Sequence, residues 1–263
     1  MIKIGFIGAG NMGGALAIAA SKVENTKISI YDKDEEKAAA LAKKANAELS
    51  SARAIACESD YVFIAVKPNI VPIVAEEIKE YITKNTCIVS MAAGVSIDSL
   101  KSYFGKDKKI IRIMPNTPAT VGKGMMLFTL SSEVSEKEKC GFLNIMSESG
   151  DLDEIPEKLI DAASAVSGCG PAFVYMFIEA MADGAVECGL PRDKALTYAA
   201  NTLIGASEMV KQTGIHPEEL KDSVCSPGGS TIAGVHALDS ASFRGTVAGA
   251  VIASYKKTLT LGK

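Results

Sequence analysis

The first 155 or so residues alternate short apolar runs with stretches of helical character. IKIGFI leads into a helix from about Met12, KISIYD precedes the Ala-rich EEKAAALAKKA, and YVFIAVKP, CIVSMAA and KIIRIMP follow in turn. Continuous apolar character in IGFI, VFIAV and CIVSMAA, instead of strict alternation, predicts strands covered on both faces, as in a parallel sheet with helical crossovers. After GMMLFTL, a helix from about Ser135 to Ser149 and a short strand near Asp151 to Ile155 complete this α/β region.

From Pro156 the pattern changes to helix formers, small residues and helix stops, and no strand candidate remains. Helices are expected from about Glu157 to the SGCGP break, from Ala172 to Cys188, from Asp193 to about Gln212, over HPEELKDSV, and over roughly 229–239 and 241–260. The last two are rich in Ala, Gly and Val, which suits close helix packing, including against a second subunit. The reading is an α/β domain over 1–156 and an all-α domain over 157–263.

Charge narrows the function. Twenty-eight basic and 31 acidic side chains give a net charge of −3, so no positive field favours nucleic acid or an anionic membrane. No stretch holds the ~18 unbroken apolar residues of a membrane helix, and the apolar N-terminus reads as a strand entering a turn. Six cysteines without a CxxC pair, and only two histidines, give no zinc spacing and fit reduced thiols in a cytoplasmic protein, with no metal site.

The turn after the first strand carries chemistry. Gly8, Gly10 and Gly13 form GxGxxG between a strand and a helix, and Asp32 closes the next strand 32 − 13 = 19 residues on, matching a Rossmann-like dinucleotide fold. Gly8 permits the tight turn, Gly10 lets backbone approach a pyrophosphate, and Gly13 lets helix and strand pack. Asp32 suits an adenosine ribose hydroxyl and would repel a 2′-phosphate, a lean towards NADH that Lys33 partly offsets. The competing reading makes Asp32 or Asp34 a helix cap. AVKPN with Lys67, SMAAG and RIMPNTP each follow a later strand, where ligands bind in open α/β sheets.

Such a domain followed by helices suggests hydride transfer to a small molecule. Carbonyl reduction develops an alkoxide and calls for a strong proton donor such as lysine, and the stretch SGCGPAFVYMFIEA contains none. A protonated imine asks only for a hydroxyl that orients its nitrogen, so C=N is favoured over C=O.

VSGCGPAFVYMFIEA at 166–180 and VCSPGGSTIAGVHAL at 224–238, with AVKP, MAAG and MPNTP in order, closely resemble the pyrroline-5-carboxylate reductase family along nearly the whole chain. The resemblance implies an α/β N-terminal Rossmann-like domain, an all-α C-terminal dimerisation domain, and reduction of 1-pyrroline-5-carboxylate to L-proline by NADPH or NADH in the last step of proline biosynthesis. It implies cofactor contacts at Ile7, Gly8, Ala9, Gly10, Asn11 and Met12, joined by Gly13 and Asp32, then at Ala65, Val66, Lys67 and Pro68, and at Met91, Ala92, Ala93 and Gly94. Ser230 and Thr231 would meet the substrate, with Thr231 the catalytic donor to the ring nitrogen. The backbone amides of Gly228, Gly229, Ser230 and Thr231, at a helix start, would receive the substrate carboxylate without any basic side chain. A homodimer assembling into a larger homo-oligomer such as a decamer is also implied.

The chain departs from the family at Ala52, where many members carry an asparagine near the cofactor, and in SYKKTLTLGK, where lysines stand in place of a common arginine. Alternatives are a β-hydroxyacid dehydrogenase-like oxidoreductase, disfavoured by the missing lysine, and a non-catalytic dinucleotide-binding sensor, which would not need a second glycine turn.

Overall fold

The computed structural model describes residues 1–260. Two compact units make up the chain, one formed by 1–169 with the C-terminal segment from 254, the other by 170–253.

The first unit is built on strands β1 (Ile2–Ile7), β2 (Thr26–Tyr31), β3 (Glu48–Leu49), β4 (Tyr61–Ile64), β5 (Cys87–Ser90), β6 (Lys109–Met114), β7 (Gly124–Leu130) and β8 (Gly150–Glu154), in the order β3-β2-β1-β4-β5-β6-β7-β8. Pairing is parallel from β3 to β6, with Ile7 opposite both Tyr31 and Ile64, and Ile64 opposite Ser90. Helices α1 (Asn11–Ser21), α2 (Glu35–Lys44), α3 (Ala52–Glu58), α4 (Val71–Ile78), α5 (Ile97–Phe104) and α6 (Glu136–Met146) cross over between strands. Residues 115–123, between β6 and β7, are too few for a helical crossover, so β7 returns antiparallel to β6 and β8 pairs parallel with β7. The sequence pattern placed the last strand but not this reversal.

Period-two alternation splits the strand side chains between two cores. Phe6, Tyr61, Phe63, Cys87, Val89, Ile111 and Ile113 pack with α1, α2 and α6 on one face. Ile7, Val62, Ile64, Ile88 and Ile110 pack with α3, α4 and α5 on the other. Phe6 stacks on Phe63 with ring centroids 4.5 Å apart, and each such fully buried side chain contributes roughly 1.5–3 kcal/mol. Burial on both faces is why the strands read as continuous apolar runs.

Helix α7 (Glu157–Ser167) is stitched to this sheet at both ends. Buried Arg112 on β6 reaches Glu157 at 3.1 Å and Asp161 at 2.8 Å, and Glu157 Oε1 also accepts the Ile97 amide at the start of α5 (2.7 Å). At the far end Asn116 donates to the Ser167 carbonyl. The compact unit therefore includes α7 and ends at Cys169, beyond the 156/157 boundary expected from the change in pattern.

The second unit is helical, with α8 (Gly170–Glu187), α9 (Arg192–Thr213), α10 (Pro217–Ser223), α11 (Ser230–Ser240) and α12 (Phe243–Thr258), the last running on into the segment from 254. Its stops are those the sequence marks, with Gly189 and Gly214 in positive-φ turns. Few of its side chains are buried. Val174, Tyr175, Met176, Tyr198, Ile204 and Ile252 are all exposed, an apolar surface that a monomer does not ordinarily present.

Candidate active site

The strand order reverses between β1 and β4, and the carboxyl ends of the strands beside such a switch point form the ligand crevice of open α/β sheets. The expected cofactor residues follow β1, β2, β4 and β5, whose register brings these ends to one edge of the sheet.

Each glycine of the first turn has a separate steric reason. Gly8 has φ +112°, and a Cβ there would lie 2.4 Å from the Ala65 carbonyl oxygen. At Gly13 a Cβ would come within 2.6 Å of the Gly8 oxygen and 2.7 Å of the Ala65 Cβ, so these two glycines let β1, α1 and the loop after β4 close on one another. A Cβ at Gly10 would meet nothing within 4 Å. Gly10 fronts open space, as backbone that must admit a bulky anion requires.

Helix α1 starts at N-cap Gly10 with no side-chain cap and no acid in its first turn. Its first intrahelical bond runs from the Gly14 amide to the Gly10 carbonyl (2.8 Å). The amides ahead of it, at Asn11, Met12 and Gly13, are left by the helix for another acceptor, and the helix dipole favours an anion there. The Gly8 amide goes to the Tyr31 carbonyl (2.7 Å) and the Ala9 amide to Asp32 Oδ2 (2.6 Å). Both are spent on the protein, so these residues shape the turn instead of donating from it.

Asp32 and Asp34 divide the two roles the sequence left open. Asp34 caps α2 by accepting the Lys37 amide (3.2 Å), and its ion pair with Lys37 holds its carboxyl below the ordinary range. Asp32 is not the cap. Its oxygens take the Ala9 and Asp34 amides, at 2.6 and 2.9 Å.

A cavity of about 390 Å³ opens here, within the range of cofactor sites. Ile7, Gly8, Gly10, Asp32, Ala65, Val66 and Lys67 all line it, with Tyr31, Lys33 and Glu77 completing its polar wall. Pro68 begins the single turn of 3₁₀ helix that follows Lys67. Ala9 and Asn11 line a neighbouring hollow of about 410 Å³ with Lys37, Lys44 and Thr120. Met91, Ala92, Ala93 and Gly94 stand after β5, the next strand along; the Ala92 side chain is buried in the core beneath α4 and α5, so only its backbone is available to a ligand. Gly94 turns the chain with φ +74°.

The residues present thus fit a dinucleotide: a glycine fronting open space, unspent amides at a helix start, and a cavity walled by Asp32. Ala52, the departure noted in the sequence, is a buried first residue of α3, capped by Ser51 (3.2 Å).

In the second unit, SPGGST is a sharp turn between α10 and α11. Gly228 has φ +70°, and a Cβ at Gly229 would strike Ser226 Oγ at 2.4 Å. Gly229 is the N-cap of α11, again with no side-chain cap and no acid in the first turn. One amide is not available as expected, because Gly229 N–H is donated to the Ser226 carbonyl (3.0 Å), and Gly229 serves the turn through its shape. The helix ladder begins with Ala233 donating to Gly229 (3.4 Å). Ser230 and Thr231 lie ahead of it with their amides outside the ladder and their side chains exposed.

Two polar features escaped the sequence reading. Arg244, at the start of α12, pairs with Glu218 in the first turn of α10 and with Asp239 near the end of α11 (3.1 Å), joining the ends of these two helices that lie away from the SPGGST turn. The guanidinium holds the Glu218 carboxyl down at about 2. Asn116, inside MPNTP, is 7% exposed and uses both ends of its amide, accepting the Met125 N–H (2.9 Å) and donating to the Ser167 carbonyl (2.8 Å). No spacing rule marks either partner. Among the described residues no cluster of metal-ligating side chains occurs.

Sheet order, glycine turn and cavity define a Rossmann-like dinucleotide-binding domain, and comparisons with known proteins place the chain among oxidoreductases. Residues 3–94 match a family described as NADP oxidoreductase, coenzyme F420-dependent, and residues 157–261 match the pyrroline-5-carboxylate reductase dimerisation family. The chain is 43% identical to pyrroline-5-carboxylate reductase of Escherichia coli, over 99% of this chain and 98% of the relative. It is 39% identical to that of Arabidopsis thaliana, over 99% and 96%. A crystal structure of Plasmodium falciparum pyrroline carboxylate reductase with NADP bound superposes with a TM-score of 0.90 at 35% identity, covering 100% of this chain and 98% of that one. The chain belongs to the pyrroline-5-carboxylate reductase family.

Proposed function

We propose that this chain reduces 1-pyrroline-5-carboxylate to L-proline with NADH or NADPH, the closing step of proline biosynthesis. The observation that carries the reading, beyond family membership, is the second uncapped helix start at Gly228–Thr231, which a cofactor-binding module alone would not need. When bound, reduced nicotinamide would supply a hydride, one proton with two electrons, to the imine carbon; the remaining tasks fall to this chain.

Asn11, Met12 and Gly13 amides would hold the pyrophosphate, with room left by Gly10, and Asp32 would receive the adenosine ribose. Ala65–Pro68 and the backbone of Met91–Gly94 would hold the ribose and nicotinamide. Ser230 and Thr231 amides, with the positive end of α11, hold the substrate carboxylate in the turn shaped by Gly228 and Gly229. The Thr231 hydroxyl oxygen accepts from the N–H of the protonated ring nitrogen and keeps it oriented, and this suffices because reduction of a protonated imine discharges a cation and creates no alkoxide. Helix α8 carries no lysine, which speaks against the β-hydroxyacid dehydrogenase reading.

Residues 157–263 act as the substrate-binding and dimerisation domain and 1–156 as the dinucleotide-binding domain. The stretch Glu157–Glu187 is long and apolar enough to cross a membrane by length and composition alone, and only 11% of its most apolar 18-residue segment is buried. We assign its apolar surface to a second copy of the chain, in a homodimer that builds a larger homo-oligomer such as a decamer. The match of 157–261 to a dimerisation family supports this. The protein works in the cytoplasm, with neither nucleic acid nor membrane as partner.

Incubation with 1-pyrroline-5-carboxylate and either cofactor tests the proposal. Cofactor oxidation with matching proline on amino-acid analysis is expected; no turnover with either cofactor would sink it.

A further inference from the structure

We propose that Asp32 makes this chain selective for NADH over NADPH, because its carboxylate is fixed in the wall of the cofactor cavity by two backbone amides. The inference rests on the cofactor assignment above and narrows it.

The fixing is geometric. Oδ2 accepts from Ala9 at 2.6 Å and Oδ1 from Asp34 at 2.9 Å. One bond ties the side chain to the glycine turn and the other to the start of α2, so rotating the carboxylate away would leave a part-buried turn amide without its acceptor. A surface aspartate can swing aside for a phosphate; this one is held by the same turn that shapes the pyrophosphate site. Each carboxylate oxygen has a second lone-pair direction, which can accept from a ribose hydroxyl.

The surrounding charge does not compensate. Residues 32–36 read DKDEE, four carboxylates against one lysine. Lys37, next along, is paired with Asp34 at 2.8 Å. The cavity wall has Lys33 and Lys67 against Asp32 and Glu77, so it offers no excess positive charge to a 2′-phosphate, and no arginine lines it to grip one bidentately. A 2′-hydroxyl gains a hydrogen bond there, whereas a 2′-phosphate meets a fixed like charge. Residues 3–94 match a family described as an NADP oxidoreductase; the observation that favours NADH in this chain is the fixed Asp32 carboxylate.

Direct binding tests the idea without any turnover. The full-length protein is titrated with NADH and separately with NADPH, following nicotinamide fluorescence, for wild type, Asp32→Asn and Asp32→Ser. Asparagine retains a carbonyl acceptor for the Ala9 amide while removing the charge. Wild type should bind NADH at least about tenfold more tightly than NADPH, and both variants should bring the two affinities to within about threefold, chiefly by tightening NADPH. Equal or tighter NADPH binding by wild type overturns the proposal, as does a ratio unchanged in the variants. Equal loss of both cofactors would reduce Asp32 to a brace of the turn and overturn it too. Since no substrate is present, a failure of pyrroline-5-carboxylate turnover leaves this result standing, and a failure here leaves turnover intact.

Discussion

The side-chain amide of Asn116 donates from Nδ2 to the Ser167 carbonyl at 2.8 Å, joining the MPNTP loop after β6 to the last turn of α7. Its Oδ1 is occupied by the Met125 amide, so one buried side chain ties three segments together. Replacement by Ala leaves the Met125 donor and the Ser167 acceptor without their partner. Asn116→Ala should therefore lose ~1–3 kcal/mol, read as a lower urea midpoint with an unchanged slope. Asn116→Asp should also destabilise, because it keeps the acceptor but faces a carboxylate towards the Ser167 carbonyl.

Arg112 anchors the other end of α7. Its side chain is 4% exposed, while Glu157 and Asp161 retain 33% and 27% exposure. Removing the guanidinium from a buried pair costs ~3–5 kcal/mol when the partners are left desolvated. Their partial exposure sets the expectation for Arg112→Ala at the lower end, ~3 kcal/mol, measured by equilibrium denaturation.

The three glycines of the first turn should separate by phenotype. Gly8→Ala and Gly13→Ala force a Cβ onto backbone at 2.4 and 2.6 Å, and both should lower the melting temperature and weaken cofactor binding. Gly10→Ala has open space, so its melting temperature should match wild type while its cofactor affinity falls. Equal destabilisation of all three would contradict the assignment of Gly10 to the pyrophosphate.

Thr231→Ala should fold and bind cofactor normally yet lose turnover. Loss of a hydrogen bond to a charged partner is worth ~1.5–3 kcal/mol, about one to two orders of magnitude in kcat/KM. Thr231→Ser should recover most of the activity, and an unchanged kcat/KM in the alanine variant would remove Thr231 from the mechanism.

Alkaline stability should report on the sheet. Tyr61 and Cys87 are register partners on β4 and β5, and burial pushes the Cys87 thiol from 9.0 up to about 12 and the Tyr61 hydroxyl above its ordinary 10.0. Both are acids whose folded value is raised, so between pH 9 and 12 the native state binds more protons than the unfolded one. Stability is lost as pH rises through that window. Urea midpoints should fall from pH 9 upward, and Cys87→Ala should make the decline shallower.

By itself the sequence determined the strands buried on both faces, the dinucleotide turn, the helical second half and the family, since each depends on local pattern. Continuous apolar runs mark β1, β4 and β5 because both faces of those strands are covered, and Gly8, Gly13, Gly228 and Gly229 stand where neighbours or φ leave no room for a Cβ. Tertiary structure alone decided the reversal of β7, the attachment of α7 to the sheet through Arg112 and Asn116, and the spending of particular amides. Asp32 and Ala9 are 23 residues apart, and Asn116 and Ser167 are 51 apart. Spacing within the chain carries no record of such pairings, because a hydrogen bond depends on where the sheet and its crossovers bring the two groups.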